Sequence, residues 1–274
     1  MVKARTNCAA LLALCLTIGL AGCESRTGTP TPKASKRILK LRGYNFDEKS
    51  FLSAVTSGDV VAVNTFIAAG IDPNVKDDSG SSALILAALR GDLDVVRALL
   101  NGGAEVNQRD NQGFTALLRA LQRNDYEVAD LLVDQPNLDV NVVGTSGVPV
   151  LTSYVIRQRD DVVGKLLARG ANANLPDQEG DTALHVAVQR GNMKLVQALL
   201  SKGANPNAKN KLGGTPLMWA GVFGHDEVAR ELLRNGADPS LKDADGITAS
   251  AWAAKNGKDE LAQFLREAEK NPSR

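Results

Sequence analysis

The sequence predicts an all-α solenoid of about seven helix-turn-helix units, each near 33 residues long, joined by hairpin-like loops. Three observations predict it. Gly80, Gly113, Gly147, Gly180, Gly213 and Gly246 stand 33, 34, 33, 33 and 33 residues apart. Gly70, Gly103, Gly170, Gly203 and Gly236 keep the same period with one member skipped. Between them lie matched phrases: SALILAALRGDLDVVRALLNGGAEVN, TALHVAVQRGNMKLVQALLSKGANPN and TPLMWAGVFGHDEVARELLRNGADPS.

Each unit reads the same way. Thr182-Ala183-Leu184 opens a short helix, with threonine placed to cap the orphan amides. Gly91, Gly191 or Gly224 ends that helix, where a left-handed residue is required. Asp92, Asn192 or Asp226 is then the N-cap candidate of a second helix. Leu195, Val196, Leu199 and Leu200 fall at helical spacing and face inward. Helices this short cannot bury their apolar faces alone, so neighbouring units must stack into one core. The units are placed at about 44–77, 78–110, 111–144, 145–177, 178–210, 211–243 and 244–270, with the first and last degraded as caps. Phe51, Ala54 and Gly58 keep the pattern in the first.

The phrase T-A-L-H-x-A, the G-(H/N/D) turn, the paired leucines and G-A-x-x-N, all at this period, resemble the ankyrin repeat over about residues 44–268. That resemblance implies a protein-binding stack whose concave face is made of loop tips and the exposed sides of the first helices. It also implies that His185 bonds neighbouring loops. Two units depart from the pattern. QRNDYEVADLL in the third reads as an inter-helix turn one residue short, followed by a loop, VDQPNLDVN, two residues long in excess. The fourth replaces Thr by Pro149 and a small alanine by Tyr154. Arg119 stands where other units carry Leu86, Val186, Trp219 or Trp252. Drift in a tolerant repeat and a bend or pocket in the stack both remain open as readings of these changes.

The first residues read as a targeting signal. Lys3 and Arg5 precede an apolar run, Ala9 to Leu20, too short to span a bilayer. Leu20-Ala21-Gly22-Cys23 resembles the lipobox of bacterial lipoproteins, which implies removal of residues 1–22 and lipidation of Cys23; a plain secretory signal is the alternative. Cys8 and Cys15 leave with that segment, so no disulfide remains possible. Glu24 in place of aspartate points, by the same resemblance, to the outer membrane rather than the inner. Residues 23–43, rich in Ser, Thr, Pro and Lys/Arg, read as a lipidated basic tether unable to order itself. Arg26, Lys33, Lys36, Arg37, Lys40 and Arg42 are its cations, set for solvent or for anionic headgroups.

Chemistry finds little support. The chain holds two histidines, His185 and His225, and nothing marks out a nucleophile or carboxylate partner, so no catalytic residue is expected. No metal site, cofactor or phosphate cradle is expected either. A net charge of +1 gives no reason to expect nucleic acid. The residues left free by the repeat are the binding candidates. Arg90, Arg123, Arg157 and Arg190 occupy one place in four successive units, suited to carboxylate or phosphate and equally to the dipole of a helix end. Gln122 and Gln189 precede two of them. Trp219 and Phe223 supply an apolar anchor, and Asn111, Gln178, Glu179 and Lys211 a loop rim. These features point to a monomeric, lipid-anchored envelope module on the periplasmic side that holds a protein partner with an acidic surface. An immunity protein against a periplasmic toxin is one version; a scaffold or stress-protection partner of a periplasmic enzyme and a factor binding anionic lipid are the alternatives.

Overall fold

The computed structural model describes residues 30–144 and 147–270. Its described residues form fifteen helices and no strand beyond two isolated bridges, Lys76 with Ser82 and Val143 with Pro149. After α1 (Pro32–Leu41) the helices fall into seven pairs, each joined by a turn of two or three residues. The first helices are α2 (Glu48–Ser57), α4 (Ala83–Arg90), α6 (Ala116–Gln122), α8 (Val150–Ile156), α10 (Ala183–Gln189), α12 (Pro216–Phe223) and α14 (Ala249–Lys255). Their second helices are α3 (Val60–Ala68), α5 (Leu93–Asn101), α7 (Tyr126–Val133), α9 (Asp160–Ala168), α11 (Met193–Ser201), α13 (Asp226–Arg234) and α15 (Asp259–Lys270). First helices pack on first helices, and second on second, so the all-helical solenoid is the observed fold.

The core follows the period. Leu99, Leu132, Leu166, Leu199, Leu232 and Leu265 are fully buried, one per second helix, with Phe66 in the same place in the first unit. Each contributes about 1.5–3 kcal/mol by leaving water. Alanines let the first helices approach closely: Ala54, Ala87, Ala120, Ala187, Ala220 and Ala253 are all fully buried.

A second periodic series fastens unit to unit. The Oδ1 atoms of Asn74, Asn107, Asn141, Asn174 and Asn207 accept from the backbone N–H of Glu105, Asp139, Asn172, Asn205 and Asp238, at 2.7–2.8 Å. The amides of Asn107, Asn174 and Asn207 donate in turn to the carbonyls of Asn137, Gly203 and Gly236. Each loop is also closed on itself. Oδ1 of Asp77, Asp110, Asp177, Asn210 or Asp243 accepts two backbone N–H groups, two and four residues ahead.

Three expectations are corrected. Pro32–Leu41 is a helix and not part of an unordered tether. Thr31 caps it, proline stands in its first turn, and Ser35 and Leu39, four apart, are buried as it packs against α3. Arg42 then pairs with Asp59 through both carboxylate oxygens at 2.8 Å. The polar composition concealed this narrow buried stripe. The third unit's turn is not short either: Asn124 holds the glycine place with φ 58°, and Asp125 caps α7 as Asp92 caps α5. The net insertion is one residue, in the Pro136 loop, where Arg169 of the next unit donates to the carbonyls of Val133, Gln135 and Pro136. Lastly, His225 and not Asp226 is the N-cap of α13, without a side-chain cap bond.

Candidate protein-binding surface

The sequence places the binding candidates in two rows, and the helices keep them apart. Arg90 ends α4, while Arg123, Arg157 and Arg190 cap the C-termini of α6, α8 and α10. All four are exposed and recur in the same place of successive units. Asn111, Gln178, Glu179 and Lys211 lie at the loop tips, at the other end of the first helices. A first helix of eight residues separates the rows by about 12 Å.

The arginines do more than face solvent. Arg90, Arg123 and Arg157 each lie beside the inter-helix turn of the preceding unit. A side chain built at Gly58 would meet Arg90 Nη2 at 3.7 Å and Asp92 Oδ2 at 2.6 Å. The φ of 77° favours glycine there, and a Cβ would in addition force the Asp92 carboxylate to shift. Arg123 bears the same relation to Gly91. In the fourth unit the turn residue has a side chain, and Arg157 Nη2 donates to Asn124 Oδ1. The side chains of Arg90, Arg123 and Arg190 make no hydrogen bond or ion pair among the described residues.

Beside the row runs a second strip. Leu89 and Ile156 are exposed apolar residues at the positions preceding Arg90 and Arg157. Gln122 holds that place in the third unit, where its Oε1 accepts from Arg119 Nη1 at 3.3 Å. Gln189 holds it in the fifth, where its carbonyl accepts from His225 Nε2 at 3.2 Å. The row ends on an aromatic stack: Trp219 lies 5.9 Å from Phe223, and Phe223 lies 6.1 Å from His225, both nearly parallel. Phe223 is exposed, and Trp219 is partly buried beneath it. The sequence offered no signal for the histidine's part in this stack.

The loop rim is stiffened across units. Asn111 N–H donates to Ser79 O at 3.1 Å, Lys211 N–H to Glu179 O at 2.9 Å, and Ala244 N–H to Leu212 O at 2.9 Å. The side chains of Asn111, Gln178, Glu179 and Lys211 are exposed.

His185 is a fastening. Its Nδ1 accepts from Thr182 N–H at 3.1 Å, so Nε2 carries the proton and donates to Gly214 O at 3.2 Å. Burial pushes its pKa below the ordinary 6.5. Sequence reasoning also missed the role of Arg119. Its Nη2 lies 2.5 Å from Asp110 Oδ2, its guanidinium covers the Phe114 ring at 3.7 Å, and it reaches Gln112 Oε1 at 2.8 Å. Burial raises the Asp110 carboxyl, and the bonds from Arg119, Phe114 N–H and Gln112 N–H overcome that to hold it below 3.8. Trp252, in Arg119's place, does the same work with its indole N–H on Asp243 Oδ2 at 2.7 Å.

Cys23 and Arg26 lie outside the described residues. Within them, no helix is long and apolar enough to cross a membrane, and no His, Cys, Asp or Glu group has the arrangement of a metal site.

The family described as "Ankyrin repeats (3 copies)" matches residues 51–143 and 152–243. Among solved structures, the chain is similar to the ankyrin repeat domain of Bcl-3, described as a unique member of the IkappaB protein family. The two share 28% identity with a TM-score of 0.62, over 79% of this chain and 97% of that one. No curated protein sequence matches the chain. The paired helices, the unit-to-unit asparagine bonds and a family match over more than half the length converge: the chain belongs to the ankyrin-repeat family.

Proposed function

We propose that this chain is a lipid-anchored envelope protein that holds a protein partner along the Arg90, Arg123, Arg157 and Arg190 row. The fold supplies the general part, because ankyrin stacks are protein-interaction scaffolds. One observation carries the finer part: four exposed guanidiniums recur in one line beside the exposed Leu89 and Ile156. An extended acidic segment with apolar side chains fits such a strip, its carboxylates accepting bidentate bonds and its apolar groups covering the aliphatic places. Phe223, stacked between Trp219 and His225, is a rigid anchor at the end of the line.

The anchor reading rests on the lipobox-like Leu20-Ala21-Gly22-Cys23. It places a monomeric module in the periplasm, on the outer membrane by the argument from Glu24. A toxin neutralised there is one form the partner takes; an enzyme held or protected there is another. Changing Arg90, Arg123 and Arg190 to alanine tests the row. Loss of the partner with an unchanged melting curve supports it, and retained binding contradicts it. Arg157 is left in place because it also bonds Asn124.

A further inference from the structure

We infer that α1 is a membrane-facing element, whose outer stripe seats on anionic lipid headgroups and so orients the repeat stack on the bilayer. Its choice of occupant rests on the anchored reading given above. Lys33, Lys36, Arg37 and Lys40 stand at i, i+3, i+4 and i+7, which brings all four to one side of a helix. All are exposed. The opposite side is fixed, with Ser35 and Leu39 buried against α3, so the stripe cannot rotate inward. Lys33, Arg37 and Lys40 make no ion pair among the described residues, and Lys36 rests over the Phe46 ring at 4.0 Å.

Charge and position name the occupant. From Ser25 to Phe46 the sequence has six cations and no acidic residue. Leu41, 68% exposed, borders the stripe and offers an apolar group at headgroup depth. Cys23 precedes Pro32 by nine residues, a span of at most about 30 Å. A chain acylated at Cys23 therefore holds α1 within reach of the same leaflet. There, each cation favours an anionic surface by about fivefold. A capping helix needs only its inner face; four aligned, uncompensated cations on the outer face are not required by the fold.

The test uses the chain from residue 23 onward with Cys23→Ser, which cannot be acylated there and lacks the apolar Ala9–Leu20 run that would itself enter a bilayer. Partition is measured onto vesicles of phosphatidylcholine with an equal part of phosphatidylglycerol, and onto phosphatidylcholine alone. The proposal expects preference for the anionic vesicles that fades with added salt. Adding Lys33→Gln, Lys36→Gln, Arg37→Gln and Lys40→Gln should weaken it about tenfold or more, with helix content unchanged by circular dichroism because Ser35 and Leu39 remain. Equal binding by both chains, or no preference for anionic vesicles, overturns the stripe. Mass analysis of the N-terminal peptide from native cells decides the anchor separately. An unmodified Cys23 overturns that reading, whatever the vesicles show.

Discussion

The Tyr154 hydroxyl donates to Asp130 Oδ1 at 3.1 Å from a place where six other units carry a buried alanine. Arg159 Nη2 holds the other carboxylate oxygen at 2.7 Å, and Tyr126 meets the Tyr154 ring edge-on at 5.9 Å. A phenol where alanine normally permits close approach acts as a wedge. Contact between α6 and α8 is correspondingly sparse, although all other neighbouring first helices pack side by side. Tyr154→Phe should cost about 1 kcal/mol, the net worth of one hydrogen bond. Tyr154→Ala should cost about 3 kcal/mol or more, from lost burial and a residual cavity. Urea unfolding of both variants measures the difference.

Arg119 and Asp110 form a pair that removal of one partner should expose. Their side chains are only 14% and 2% accessible. Arg119→Met leaves the carboxylate buried and unpaired and should destabilise the chain by about 3 kcal/mol. Arg119→Trp should restore much of that, because Trp252 already satisfies Asp243 from the same place. Thermal melts of the two variants side by side decide it; equal loss in both contradicts the shared role.

Acid should loosen the fifth and sixth units through His185. Its folded pKa lies below 6.5, chiefly through burial, so the unfolded chain binds the proton more readily. Stability is then complete above about pH 6.5 and falls as pH drops below it. Asp110, with its pKa held below 3.8, adds a second loss only when pH falls through that lower region. His185→Gln should flatten the first decline and leave the second. Melting temperature against pH, for both chains, is the measurement.

Gln158 is strained where five of the seven units use glycine. Its φ is 55°, and left-handed backbone costs a residue with a Cβ about 1–2 kcal/mol. Gln158→Gly should stabilise the chain, by up to about 1 kcal/mol once the added freedom of the unfolded glycine is subtracted. Asn124→Gly should gain less, because asparagine tolerates this region and Arg157 bonds its side chain. Denaturant midpoints rank the two.

Much of this was readable in the glycines and leucines, because their period states directly where turns and core positions recur. The helix of Pro32–Leu41 was not, since two inward residues among many cations leave the composition of a linker. Asn124 was misread as a missing residue because the turn was recognised by its glycine and not by its backbone angle. The partners of Arg119, Tyr154 and Arg169 depend on contacts between units or across a folded loop, which spacing alone does not specify. The arginine row was visible, but not that Arg157 is engaged by the preceding turn.

Affinity purification from native cells tests the central claim most directly, with the wild-type chain and the Arg90→Ala, Arg123→Ala, Arg190→Ala chain compared by mass spectrometry. The account predicts an envelope protein retained by the wild type and lost at least tenfold from the variant, with both chains melting alike. Equal recovery of the same partner by both would contradict it.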